Sequence, residues 1–441
     1  MTEALLVRGG LLLTMDPAHG TLRADILTRD GVITEIRPGI EAPDDARIIE
    51  ADGALVLPGF IDTHRHMWQA ALRGMGADLT LGDYFPQVTG ALAAQFTPDD
   101  VHLGETLSAY AALDAGVTTV QDLANIHDTP EHSDAALHAL RTTGLRTVLA
   151  YSHSFNARHA DRVAPDGLSR DAARLRSLLS DDQALVTMAL EATARSEEGT
   201  LANWRLAAEL SLPVALHVIG RFSEEPPLSM LQRLGLLAAQ GERATYIHAT
   251  DLDASQYALI RDSGGHLSIA PAVEMLMGQG YPPLLDALDA GLVPSLSADV
   301  EVTAPSDMFT QMRAALQAVR QAAHARARLD GSDPVMVTAE QVLSFATIEG
   351  ARALGLDDRT GSLTIGKQAD LIVLTTDRPG LRPVNDPAAT VVLGADRGDI
   401  DTVIVAGRVL KEHGRLLDSG ALPRLYAQAD ALRDRLTEPA R

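Results

Sequence analysis

From about residue 57 to about residue 364 the chain alternates short apolar segments with helix-patterned ones, and this alternation limits the fold more than any other feature. The apolar segments are Leu55–Asp62, Val117–Gln121, Arg146–Tyr151, Val186–Leu190, Pro213–Val218, Ala244–His248, Gly265–Ile269 and Leu292–Ser297. Most are followed by a stretch with helical spacing: Ser133–Thr143, Arg170–Leu179, Thr200–Leu210, Ser229–Gln240, Ala254–Ser263, Pro283–Ala290 and Met308–Ala323. Short, continuously apolar runs are the mark of parallel strands buried on both faces. Eight strand–helix units suggest a closed (β/α)8 barrel. An open doubly wound sheet satisfies the same alternation, and periodicity alone leaves both standing.

The two ends have a different rhythm. Ala4–Val7, Gly10–Thr14, Ala24–Leu27 and Val32–Ile36 are strand-like, with a turn signal at Arg29-Asp30-Gly31. Ala369–Leu374, Thr390–Leu393 and Thr402–Ala406 read the same way. The expected α/β architecture is therefore a TIM-type barrel over 57–364 and a small β-sandwich formed by both chain ends, 1–56 and 365–415. An amphipathic helix is expected in 416–441.

Composition narrows the chemistry. The net charge of −22 argues against nucleic acid or an anionic membrane as a partner. No apolar run approaches the roughly 18–20 residues that span a bilayer, and the N-terminal segment lacks the pattern of a secretion signal. A soluble cytoplasmic protein is expected. There is no cysteine, so a metal site must be built from His, Asp, Glu or a carbamylated Lys. The only lysines are Lys367 and Lys411, so the barrel has none to carbamylate.

Polar residues sit where the apolar runs end. Leu57-Pro58-Gly59-Phe60-Ile61-Asp62 leads into His64-Arg65-His66, and residues two apart on a strand face the same side. His217 and His248 close the fifth and sixth strands, and Asp299 follows the eighth. On a barrel all five would meet at the C-terminal rim, where such folds carry their active sites.

These residues resemble the signature of the amidohydrolase superfamily, with the cytosine-deaminase-like and triazine-hydrolase-like (chlorohydrolase) branch nearest. Ala115-Gly116-Val117-Thr118-Thr119-Val120, Gly366-Lys367-Gln368-Ala369-Asp370-Leu371 and Val405-Ala406-Gly407-Arg408-Val409 are similar to further family segments. The resemblance implies that His64, His66, His217 and Asp299 hold one divalent metal, Zn2+ in the first instance with Fe2+ the alternative. It implies that His248 and Asp299 are catalytic, and it suggests a homodimer or larger assembly. The implied activity is hydrolysis of a C–N bond, other than a peptide bond, in a small heterocyclic or cyclic-amide substrate. Deamination and dehalogenation are alternatives within the branch, and an inactive scaffold protein is the alternative outside it.

One departure bears on the reaction. Deaminases of this branch carry a Glu three residues after the fifth-strand His; here that residue is Gly220. The glycine is expected to disfavour attack on an aminated ring carbon, to favour a lactam-like or imide-like one, and to leave room for a bulkier substrate. Glu225 lies farther along the same loop. Glu274 reads either as a replacement acid or as a solvated loop charge. Gln69, Trp68 and His153 are candidate substrate contacts, and Asp122 and His127 are weaker ones. Glu191 is a candidate bridge to a second metal.

Overall fold

The computed structural model describes residues 4–153, 165–222 and 225–438. Its first five strands are β1 (Ala4–Leu13), β2 (Thr21–Arg29), β3 (Val32–Arg37), β4 (Ala46–Glu50) and β5 (Leu55–Pro58). The next eight are β6 (Phe60–Arg65), β7 (Val117–His127), β8 (Arg146–His153), β9 (Val186–Ala192), β10 (Val214–Ile219), β11 (Ala244–Thr250), β12 (His266–Ile269) and β13 (Ser295–Leu296). The last four are β14 (Leu371–Leu374), β15 (Ile400–Val405), β16 (Arg408–Glu412) and β17 (Arg415–Leu416).

Strands β6 to β13 form one parallel sheet in sequential order, the topology of a (β/α)8 barrel. The seam between the first and last strands closes at the residues that end them. Asp299 N–H donates to the His64 carbonyl at 2.9 Å, and His66 N–H donates to the Asp299 carbonyl at 3.0 Å. Beneath that seam the Thr63 hydroxyl pairs with the Ser268 and Ser295 hydroxyls at 2.7 and 2.8 Å. The barrel is thus stitched together at the rim that bears the histidines.

The two chain ends pair into a separate mixed sheet of nine strands around its own core, which includes Leu5, Ile26, Ile33, Leu371 and Ile404. The expected strand Leu55–Asp62 is in fact two. β5 joins β1 and β14 in the mixed sheet, and β6 opens the barrel. The break falls at Gly59, where a Cβ would lie 2.1 Å from the Thr118 side chain. Only glycine lets the chain cross that closely from one sheet to the other.

Two further expectations are corrected. Thr390–Leu393 is a wide helical turn, Thr390–Gly394, and not a strand. Asp386 caps the turn before it through Ala389 N–H at 3.0 Å, and Pro387 starts it. These cap signals override the strand preference of the β-branched run. The helix expected over Ser229–Gln240 is two, Pro227–Arg233 and Leu237–Gln240, with Gly235 at φ +69° between them.

Four other helices matter for function: α1 (Pro98–Asp114), α2 (Pro271–Met277), α3 (Met308–Asp330) and the C-terminal α4 (Leu422–Thr437). α4 buries Leu425 and Leu432. No described helix is long and apolar enough to cross a membrane.

Candidate metal centre and active site

Three imidazoles converge at the barrel rim. His64 Nε2 lies 3.2 Å from His66 Nε2 and 3.2 Å from His217 Nε2. The other ring nitrogen fixes the tautomer of His66. His66 Nδ1 donates to the Leu123 carbonyl at 2.7 Å, and His217 Nδ1 faces the Glu191 carboxylate at 3.4 Å. The His66 ring therefore turns a bare lone pair on Nε2 towards His64. Burial and the neighbouring imidazoles hold His64 well below its usual pKa, and burial also lowers His66, so both are neutral. Lone pairs facing one another inside a protein call for a cation between them.

The candidate fourth donor is Asp299. Its Oδ1 is 3.4 Å from His64 Nε2 and 3.6 Å from His66 Nε2. Two ligands held about 2.0–2.1 Å from a tetrahedral zinc lie about 3.3 Å apart. The spacings among His64, His66, His217 and Asp299 that involve His64, and that between His66 and Asp299, are near this value. His64, His66 and His217 form one possible metal grouping, and His64, His248 and Asp299 form another. The two share His64.

The other carboxylate oxygen of Asp299 faces away from this cluster. Oδ2 is 3.7 Å from His248 Nε2 and accepts from Gln279 Nε2 at 3.3 Å. Asp299 thus spans the space between the metal donors and His248. The backbone is held in left-handed geometry at both residues, φ +59° at Asp299 and φ +67° at His248. Strain of this kind persists where surrounding contacts impose it, and it clusters at functional sites.

His248 is backed by a second carboxyl group. Its Nδ1 lies 3.1 Å from Glu274 Oε1, which also accepts from Ala270 N–H at 2.9 Å. Glu274 is fully buried in the first turn of α2, so it is not a solvated loop charge. Burial pushes its carboxyl well above the usual range and pushes His248 down to about 3. Burial thus disfavours charge on both partners.

This has a consequence for stability. An acid with a raised folded pKa binds its proton more tightly when folded than when unfolded. Its stabilising contribution is complete below the usual value near 4.5 and is lost as pH rises towards the folded value. Glu274→Gln removes that loss. The variant is expected to melt at higher temperature than wild type at pH 8, with the difference shrinking towards pH 5. An unchanged or lower melting temperature at pH 8 would contradict the assignment.

Above these residues opens a cavity of about 690 Å³, with His66, His217, His248 and Asp299 on its floor. Leu81, Tyr84, Phe85, Ile219, Met230 and Met277 make apolar walls, and Asn125, Gln279 and Glu225 add polar points. A few polar groups among apolar walls are typical of a small-molecule site.

The profile of the Amidohydrolase family matches residues 55–410. The chain belongs to the amidohydrolase family. Among curated relatives of this amidohydrolase is the 5-methylthioadenosine/S-adenosylhomocysteine deaminase of Symbiobacterium thermophilum. It is 27% identical over 435 residues, covering 93% of this chain and 94% of that one. The 5'-deoxyadenosine deaminase of Methanothermobacter thermautotrophicus is also 27% identical, with 94% of each chain covered. A zinc-bound adenosine deaminase of Xanthomonas campestris matches the fold at TM-score 0.83, with 24% identity over 98% of both chains. An atrazine chlorohydrolase of Arthrobacter aurescens in complex with zinc and atraton matches at 0.86, with 23% identity over 97% of this chain and 99% of that one. Family and relatives make this chain a metal-dependent hydrolase of C–N bonds in heterocycles.

The geometry places the other candidates as follows. Trp68 and Gln69 stand one layer behind the cavity surface. Trp68 Nε1 donates to Asn125 Oδ1 at 2.9 Å, and Gln69 Nε2 donates to the Tyr84 hydroxyl at 2.6 Å. They position Asn125 and Tyr84, which do reach the cavity and which sequence reasoning missed. Gln279 was missed as well, and no local pattern marks it. Glu274 does not line the cavity. The side chain of His153 lies outside the described residues. Asp122 accepts from Met67 N–H at 3.1 Å, and His127 stacks on Tyr151 with ring centres 4.7 Å apart. Both are buried and set back from the cavity. Glu191 lines the cavity, but it accepts from the Ser152 hydroxyl at 2.6 Å and faces His217, outside the metal groupings.

Gly220 gives the clearest correction. A Cβ there would sit 2.1 Å from the Asp251 carbonyl oxygen. The glycine is packed against the loop that follows β11, so it leaves no extra room for substrate, and no side chain can project from this position. Glu225, by contrast, lines the cavity.

Proposed function

We propose that this amidohydrolase is a zinc enzyme that hydrolyses a C–N bond at a carbonyl-like carbon of a substituted nitrogen heterocycle, a lactam-like or imide-like ring. The observation that carries the choice of carbon is the closed position at Gly220. Attack on an aminated aromatic carbon benefits from an acid that protonates the adjacent ring nitrogen, and no such acid can stand there. Attack on a carbonyl carbon puts the charge on oxygen instead, where the centre already offers stabilising groups. The cavity volume suits a ring bearing a sizeable substituent. The relatives named for 5'-deoxyadenosine and methylthioadenosine support that size.

Imidazole and carboxylate donors without thiolate suit zinc, which when bound supplies Lewis acidity and an activated water. The protein's own residues do the rest. Asp299 Oδ2 takes a proton from the attacking water and returns it to the departing nitrogen. His248 Nε2 faces the same space and, in the neutral Nε2–H tautomer, donates to the oxygen that gathers charge. Glu274 behind it hydrogen-bonds Nδ1 and holds the ring in that orientation. Tyr84, Asn125 and Gln279 orient the ring.

A second reading, hydrolytic deamination, is favoured by the relatives' names and by Glu225 on the cavity wall. Against it, Glu225 forms a two-point ion pair with Arg233 at 3.0 and 2.9 Å, and that guanidinium holds its carboxyl below the usual range. A carboxylate held in that way is a poor acid. A panel of cyclic amides, cyclic imides and aminopurine nucleosides separates the readings. Cyclic amides or imides are expected to show kcat/KM at least tenfold above adenosine. Efficient ammonia release from adenosine, abolished by Glu225→Gln, would establish deamination in its place.

A further inference from the structure

A second cavity, of about 720 Å³, lies between α1, the segment 301–307, β17 and α4, where barrel, mixed sheet and C-terminal helix meet. Three arginines line it: Arg73, Arg397 and Arg415. Arg73 is committed, since its Nε donates to Glu301 at 2.8 Å. Arg397 and Arg415 make no side-chain hydrogen bond or ion pair among the described residues.

The acidic groups on the same walls are all engaged. Glu301 is fully enclosed by Arg73, by the Ser108 hydroxyl and by Arg65 Nη1 at 3.6 Å. Asp114 pairs with Lys411 Nζ at 2.9 Å. Asp307 caps α3, accepting from Thr310 N–H at 2.8 Å and from its hydroxyl at 2.9 Å. The walls therefore hold their negative charges in existing bonds and leave two guanidinium groups over, in a chain whose net charge is −22. Tyr110 and Tyr426 add aromatic surface, and Leu107 and Leu422 add apolar surface.

Guanidinium forks recognise phosphate and carboxylate through paired, charge-assisted hydrogen bonds. Aromatic rings favour stacked or edge contacts with other rings. We infer that this cavity is a second ligand site, taking a small molecule that carries a phosphate or carboxylate on an aromatic ring.

The test uses the zinc-loaded protein, with phenyl phosphate, benzoate and inorganic phosphate as probes in calorimetry. At least one ring-bearing anion is expected to bind saturably and more tightly than inorganic phosphate. The tighter of phenyl phosphate and benzoate assigns the anion. The double variant Arg397→Gln/Arg415→Gln is expected to weaken that binding at least tenfold. Tyr426→Ala is expected to weaken the ring-bearing anion but not inorganic phosphate. Both variants should keep wild-type turnover, because these side chains lie outside the metal site. Absence of saturable binding, or binding that the double variant retains, would overturn the inference.

Discussion

Asp299→Asn is expected to lower kcat/KM by about 10²–10⁴-fold, the usual contribution of a general acid–base group. The fold should survive. The two backbone bonds that Asp299 makes to His64 and His66 use main-chain atoms only, so the seam of the barrel is kept. Asn also tolerates the left-handed backbone at φ +59°, where most residues would be strained. What is lost, on the proposed mechanism, is the charge that helps hold the metal and the oxygen that accepts the water's proton. Steady-state kinetics beside a thermal melt check both halves. Wild-type turnover in the variant would remove Asp299 from the chemistry, and a collapsed melt would make it a structural residue first.

The fold was legible because its signals are local. Eight buried apolar runs with helical stretches between them allow few architectures, and the polar residues at their ends mark one rim. The ends of the chain were legible as a β-rich unit for the same reason. Where reading failed, the deciding contact is distant in sequence. Nothing near Gly220 announces that the Asp251 carbonyl occupies the space a side chain would need. Glu274 looks like a loop charge until Pro271 is seen to start a helix that aims it at His248 from 26 residues away. Trp68 and Gln69 were noticed for their closeness to His66, but the strand end turns them towards Asn125 and Tyr84. Strand preference also misled at Thr390–Leu393, where a capping Asp and a Pro decide the conformation.

Removing the metal is expected to abolish turnover, and one equivalent should restore it. No lysine precedes Lys367, so the barrel offers no carbamylated bridge to a second ion. Glu191, the other possible bridge, is drawn to Ser152 and His217. The two possible metal groupings share His64. The direct test is to strip the protein with a chelator and titrate zinc back while following hydrolysis of a substrate found in the heterocycle panel. Activity is predicted to rise linearly to one zinc per chain and to stay flat beyond it. Full activity in the stripped protein, or a rise that continues to a second equivalent, would contradict the single centre built on His64, His66, His217 and Asp299.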